Sequence, residues 1–480
     1  MNRPLRRVAL ACLVLFGLLL AQANWVQVVR SDDYRDDPRN QRVLLRTYDR
    51  ERGPILVGNG TGRRAVARSV ETGDALKYLR TYPGGELYAP VTGFASLVYG
   101  FTGVERLEDE VLSGEDEKLL VRRLSDYVTG RQVQGGSVLL TLDPRAQQAA
   151  WRGLAGRKGA VVALDPRTGA VLAMVSFPSY DPAKVSSHDP KAIRAAYQAL
   201  LRDPLDPLLN RAVERTYPPG STFKIVTAAA ALSADYTPRS RLRSPRVLDL
   251  PGTTVGLRNF AGESCGGATV TLADAMRTSC NTAFAGLGMA LGEDRLAAQA
   301  ERFGLGEEGL RLPQRVATSV FPRELTKAQE AQSAIGQYDV RVTPLQMAMV
   351  GAGVANGGEV MRPYVVREVL APDLSTLSLA EPEVLRRAVS STVAEQLTAM
   401  MELVVKTGTG RRAQISGVRV AGKTGTAQHG EGRPSHNWFV GFAPANDPRV
   451  AVAVVLEEGG GTGGRLAAPI AKAVMQAVLR

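Results

Sequence analysis

Hydrophobic positions follow several rhythms along the chain, and each rhythm predicts a different element. From Val8 to Ala21 apolar residues run without a break behind a basic start of Arg3, Arg6 and Arg7. Such a run enters a membrane with its basic end inside. The run and the small-residue site Ala21-Gln22-Ala23 suit a cleaved signal peptide. Trp25, Val26, Val28 and Val29 extend the apolar character to about 22 residues, enough to span. We expect an uncleaved, single-pass anchor over 8–29, a cytoplasmic tail over 1–7 and an extracytoplasmic remainder. N-terminal sequencing that began at Asn24 would overturn the anchor.

Residues 47–100 mix short alternating apolar runs with Gly and Pro. That pattern predicts strands and turns, and a β-rich region over 30–155. Residues 144–154 have helical spacing, and two strand-like runs follow at 160–164 and 170–176, joined by the turn formers Asp165-Pro166-Arg167-Thr168-Gly169. A larger domain is placed from 156 to 480. Near its end "VRVAGKTGTA", "NWFVGFAPA" and "RVAVAVVLEE" read as three successive strands followed by a helix over 466–479. This is an antiparallel meander covered by a helix, within an α+β chain. No internal repeat of structural size is visible.

The length of 480 residues fits two or three domains, and 44% apolar with 22% charged residues is a globular composition. A net charge of +12 suits an anionic partner such as nucleic acid, membrane lipid or an acidic cell-wall polymer. Nucleic acid is disfavoured, because the arginines are spread without an aromatic-interleaved stripe. Cys12 belongs to the apolar run, which leaves Cys265 and Cys280 as either a disulfide or two buried thiols. His188, His429 and His436 are not spaced as ligands, and no Cys-x-x-Cys occurs, so neither a metal nor a cofactor is expected.

Three short motifs carry chemistry. Lys-Thr-Gly-Thr occurs twice, at Lys406–Thr409 and Lys423–Thr426. Lys406 ends a helix-periodic segment starting at Ser391 or Thr392, where the helix dipole is reason enough for a lysine. Lys423 instead lies in a strand whose Gly422 and Gly425 leave room for a ligand's backbone, so the chemistry is assigned to Lys423. Ser221 and Lys224 form a Ser-x-x-Lys at the start of an Ala-rich helix, and Lys224 alone of the ten lysines has a serine three residues before it. A serine becomes a nucleophile when a base stands in reach, and a desolvated lysine among positive neighbours is such a base. Ser279-Cys280-Asn281 lies between two helical patterns and competes with a plain helix-cap reading. A second Ser-x-Asn, at Ser435, lies after the Lys423 strand, so the order of motifs selects the first.

Ser-x-x-Lys, Ser-x-Asn and Lys-Thr-Gly in this order resemble the penicillin-recognising serine acyltransferases, and within them the class B penicillin-binding proteins. The flanking phrases "RERGPI", "LTLDPRAQQ", "GAVVALDPRTGAVLAMVSFPSYDP", "NRAVERTYPPGSTFK", "IGQYDVRVTPLQMA" and "HNWFVGFAP" carry the resemblance over nearly the whole chain. "PRNQRVLLRTYDRERG" and "ELYAPVTGF" look closest to a branch known from actinobacteria. The family's Gly-Thr-Gly phrase, some fifteen residues before its active strand, falls on Gly408–Gly410 and again points to Lys423.

The resemblance implies the penicillin-binding transpeptidase fold, an antiparallel sheet flanked by helices with a helical subdomain, behind an elongated β-rich pedestal or dimerisation-like domain and one transmembrane helix. It implies that Ser221 attacks a peptidoglycan stem peptide ending in D-Ala-D-Ala, with Lys224 as base and Ser279 as proton relay. Asn281 holds the substrate amide and Lys224, and Lys423 keeps the site positive. Thr424, Gly425 and Thr426 form the binding strand: the two threonines take the terminal carboxylate, and the N–H groups of Ser221 and Thr426 form an oxyanion hole. β-Lactams would acylate the same serine. With no glycosyltransferase region ahead of the transpeptidase region, the resemblance implies action beside a membrane glycan polymerase of the SEDS type. The competing readings are a DD-carboxypeptidase or β-lactamase, for which neither the anchor nor residues 31–150 are needed, and a non-catalytic penicillin sensor or division scaffold. A Cys265–Cys280 disulfide would brace the Ser-x-Asn loop.

Overall fold

The computed structural model describes residues 2–30, 48–74, 76–119, 134–310, 312–430 and 432–480. Residues 38–47, most of one flanking phrase, lie outside them. The N-terminal helix Asn2–Asn24 continues into a π-helical turn, Trp25–Val29. Its apolar side chains are exposed, with Leu10 and Phe16 about two-thirds open, and the 25 residues Pro4–Val28 are helical and on the whole apolar enough to cross a membrane. At 1.5 Å per residue such a helix is about 37 Å long, more than the hydrocarbon thickness of a bilayer.

A six-stranded sheet follows. Its order is Thr376–Leu379, Val366–Leu370, Ser137–Leu140, Ile55–Val57, Arg64–Glu71, Tyr78–Thr81. Only Ile55–Val57 and Ser137–Leu140 pair in parallel. Two strands come from beyond residue 365, so one sheet joins the regions that the pattern separates near 156. Local sequence carries no signal for a pairing 230 residues away. The stretch read as strands and turns also holds a helix, Gly85–Thr92, with Tyr88, Ala89, Pro90, Val91 and Thr92 buried. Burial on several sides erases the 3.6-residue stripe that would have marked it.

The second sheet is antiparallel throughout: Ala421–Ala427, His436–Ala443, Val450–Leu456, Gly159–Leu164, Val171–Phe177. Its strands are apolar on both faces because both faces are covered, which explains why "VAVAVVL" shows no alternation. One face, with Val161, Val452, Val454 and Phe439, packs with the helices Pro144–Leu154 and Ala468–Leu479. Asp143 starts the first of these helices by accepting hydrogen bonds from the N–H groups of Arg145 and Ala146. The other face, with Val162, Val440 and Val455, shares a core with the helices Lys224–Leu232 and Pro344–Ala355. The functional motifs gather at the edge of this sheet, on Ala421–Ala427.

Candidate active site

Ser221 lies in a 3-10 turn, Gly220–Phe223, and the α-helix proper begins at Lys224. The sequence reading started the helix at Ser221. Pro218 and Pro219 lack donors and Gly220 adopts φ +53°, so the chain enters the helix through a tight turn. Two bonds fix that turn against the rest of the site: the Trp438 indole N–H donates to the Pro218 carbonyl at 3.0 Å, and the Gly220 N–H to the Gly336 carbonyl at 2.9 Å. A Cβ at position 220 would stand 3.0 Å from both the Thr426 carbonyl oxygen and Ala427 Cβ. The serine turn therefore abuts the end of the Lys423 strand. Ser221 is half-buried, and its hydroxyl makes no hydrogen bond among the described residues. In unliganded sites such bonds are commonly long and tighten on substrate binding.

Ser279 is not a side-chain cap. It ends the helix Leu272–Thr278 in the left-handed region, φ +61° and ψ 39°, and the next helix, Asn281–Leu291, starts two residues on. The N-terminal N–H groups of that helix are met from afar: Asn259 Oδ1 accepts from Asn281 N–H at 2.8 Å and Thr282 N–H at 3.1 Å. With the cap supplied by Asn259, the side chains of Ser279 and Asn281 are free to meet the lysines. Cys280, between them, is bonded to Cys265 with their Cα atoms 5.7 Å apart.

The Lys224 amine donates to the Ser279 carbonyl at 2.7 Å and to Asn281 Oδ1 at 2.8 Å, and lies 3.4 Å from Ser279 Oγ. Two of these acceptors cannot donate in return, so they take two N–H bonds of a neutral amine and leave its lone pair for a hydroxyl. Lys423 donates to Ser279 Oγ at 2.8 Å and to the Thr424 carbonyl at 2.9 Å. Both lysines are 0% exposed. Burial pushes Lys423 down to about 7. Burial, and then the charge of Lys423, pushes Lys224 well below the usual lysine range. Two positive groups that share one hydroxyl cannot both stay charged in so dry a site.

The first Lys-Thr-Gly copy behaves differently. Lys406 is the exposed last residue of the helix Ser391–Lys406, which Ser390 caps. Its neighbour Thr409 nevertheless reaches the site, where its Oγ1 is 2.6 Å from Thr424 Oγ1. Thr424 is buried and Thr426 half-buried. Gly425 fits tightly, since a Cβ there would meet the Pro219 carbonyl oxygen at 2.9 Å and Thr222 Cγ2 at 3.0 Å. Asn437 of the second Ser-x-Asn donates to the Gly461 carbonyl, away from the lysines. Sequence reasoning missed Asn259 and Thr409. For Thr409 the Gly-Thr-Gly phrase was a signal, and for Asn259 there was none.

A family model of the penicillin binding protein transpeptidase domain matches residues 159–476. The chain belongs to that family. A second model, the penicillin binding protein A dimerisation domain, matches residues 52–138. The chain is 50% identical to the peptidoglycan D,D-transpeptidase PbpA of Mycolicibacterium smegmatis, over 100% of this chain and 99% of that one. It is 47% identical to PbpA of Mycobacterium tuberculosis over the same shares. The solved ceftriaxone acyl-enzyme complex of penicillin-binding protein A from M. tuberculosis superposes with a TM-score of 0.88 at 46% identity, covering 91% of this chain and 100% of that chain. The penicillin-binding transpeptidase fold expected from the motifs is therefore the fold observed.

Proposed function

We propose that this family member is a peptidoglycan D,D-transpeptidase that works through an acyl-enzyme on Ser221. The observation that carries the reading is the Lys224 amine, buried and held by the Ser279 carbonyl and Asn281 Oδ1 three residues after the serine. Relatives that align over the full chain bear the name peptidoglycan D,D-transpeptidase, and one of them has been trapped as β-lactam acyl-enzymes.

In the first half-reaction Ser221 Oγ attacks the carbonyl carbon of the penultimate D-alanine, and Lys224 takes its proton. The negative charge on the carbonyl oxygen falls to the N–H groups of Ser221 and Thr426, a pairing supported by the serine turn lying against the end of the Lys423 strand, where a Cβ at 220 would meet the Thr426 carbonyl oxygen at 3.0 Å. The amide C–N bond breaks, and the proton passes through Ser279 Oγ to the leaving D-alanine nitrogen. Asn281 holds the substrate amide, and Thr424 and Thr426 hold the terminal carboxylate beside a cationic Lys423. In the second half-reaction an amine of a neighbouring strand attacks the ester, forms the cross-link and restores Ser221. A β-lactam opens its ring on the same serine and keeps its leaving nitrogen tethered, so the ester persists. The apolar helix anchors the chain with residues 1–7 in the cytoplasm, a pedestal over 30–155 and the transpeptidase domain over 156–480 outside. A membrane glycan polymerase of the SEDS type supplies the glycan strands.

The test is an intact-mass time course of the full chain in detergent after a penicillin pulse, beside Ser221→Ala. A persistent adduct that requires Ser221 is expected. An adduct that disappears within seconds would make the protein a hydrolase, and no adduct would remove the nucleophile.

A further inference from the structure

On the sheet face turned away from Ser221, a cleft of about 520 Å³ opens between the helices Pro144–Leu154 and Ala468–Leu479. Gly153, Leu466 and Ile470 contribute its apolar lining, and Arg152, Arg157 and Arg465 stand around it, all three exposed. At Gly153 the two helices touch, since a Cβ there would lie 2.6 Å from Ile470 Cγ2.

The charge around this cleft is one-sided. Residues 144–158 and 459–480 together hold seven lysines and arginines and no aspartate or glutamate. The acidic residues that precede them are already engaged: Asp143 with Arg145 at 3.6 Å, Glu457 with Lys158 at 3.5 Å, and Glu458 with Arg433 at 3.9 Å. Arg157 is held in place over the end of its helix, donating through Nε to the Leu154 carbonyl at 3.1 Å and through Nη2 to the Gly153 carbonyl at 2.6 Å. That geometry pre-orders one guanidinium without neutralising it. Among the described residues no carboxylate faces Arg152, Arg157 or Arg465 as an ion-pair partner. A surface that needs only solubility mixes both signs. This one sets a charge of one sign around an open, largely apolar hollow.

We infer that this cleft is a docking site for an acidic segment of a protein partner, which seats one apolar side chain between the two helices and lays carboxylates on Arg152, Arg157 and Arg465. A guanidinium pairs with a carboxylate through two parallel hydrogen bonds, and the hollow adds the apolar contact that fixes register. A flat anionic lipid surface would match the charge and leave the hollow unfilled. The two helices that form the cleft cover the sheet face opposite the helix that follows Ser221, while Gly464, beside Arg465, packs against Thr409 and Thr424 at the edge of the sheet.

The experiment measures fluorescence anisotropy of a labelled acidic hexapeptide, EDLFDE, with the full-length protein in detergent. The polar acidic peptide EDSSDE and the basic peptide KRLFRK serve as comparisons. Saturable binding of EDLFDE is expected, at least tenfold tighter than either comparison and weakened by raising NaCl from 50 to 500 mM. The double variant Arg152→Glu, Arg157→Glu should lose at least tenfold in affinity while fluorescent penicillin still labels it at the wild-type rate, which shows that it is folded. No saturable binding, equal binding of EDSSDE, or binding untouched by the double variant would overturn the proposal. Arginine-dependent binding to phosphatidylglycerol vesicles without binding of EDLFDE would overturn it in favour of a lipid.

Discussion

The hydroxyl oxygens of Thr409 and Thr424 lie 2.6 Å apart, joining the first Lys-Thr-Gly-Thr copy to the second. The first copy supplies no lysine to the site, yet its Thr409 shares a hydrogen bond with the hydroxyl proposed to receive the substrate carboxylate. Thr409→Val keeps the shape and removes that partner. A net hydrogen bond of about 0.5–1.5 kcal/mol corresponds to roughly a 2–10-fold fall in the second-order rate of penicillin acylation. Thr409→Ser should restore the rate. A variant with wild-type rate and a lowered Tm would reduce Thr409 to a packing residue.

Lys423 carries a prediction about stability as well as rate. Its folded pKa is about 7, against the ordinary 10.5, because it is buried. Between those values the unfolded chain holds a proton that the folded chain has released, so stability rises with pH across this window. Below about 7 both states are protonated, and the burial cost is fully present. That cost is bounded above by about 5 kcal/mol. Lys423→Met should therefore raise Tm at pH 6–7 by roughly 5 °C or more, with the gap closing by pH 10, while acylation is lost. Melting curves across pH 6–10 check this; a wild-type Tm that falls over the window would contradict it.

Asn259 caps a helix that it does not belong to. Asn259→Ala leaves the N–H groups of Asn281 and Thr282 without their acceptor, at a cost of about 1–2 kcal/mol. It also loosens Asn281, whose Oδ1 holds the Lys224 amine at 2.8 Å. Both Tm and the acylation rate should fall, and Asn259→Asp, which keeps the acceptor, should recover most of each. An unchanged rate in Asn259→Ala would separate the cap from the chemistry.

What could be read without coordinates divides by range. Lys224, Ser279, Asn281 and Lys423, which meet through hydrogen bonds, could be proposed as one cluster because each sits in a short motif with its own backbone context, and the exposed helix end at Lys406 was legible from the pattern after Ser391. Asn259 reaches the second motif from 22 residues away, on a stretch with little regular structure, and nothing local marks it. The pairing of Val366–Leu370 with Ser137–Leu140 was equally silent. Short strands specify their faces, whereas their neighbours are chosen by tertiary packing.

That shared sheet leads to a prediction at its N-terminal end. Glu105 is 0% exposed and receives Arg52 Nε at 2.6 Å, Arg80 Nε at 2.7 Å and the Tyr82 hydroxyl at 3.2 Å. Burial pushes its carboxyl up, but the guanidiniums of Arg80 and Arg52 prevail and hold it below the usual carboxylate range. Its contribution is therefore present above that range and lost as pH falls through the folded value. Among the described residues, Glu105→Gln leaves the buried Arg80 guanidinium without a counter-charge and Arg52 with Asp109 alone, and breaking such a network costs about 3–5 kcal/mol. Strands from beyond residue 365 lie in the same sheet as Tyr78–Thr81, so the loss should lower one cooperative melting transition shared by the two regions that this sheet joins. Calorimetry that instead showed an early transition confined to residues 48–140, with the penicillin-labelled remainder melting as before, would mean that the sheet does not couple the two regions.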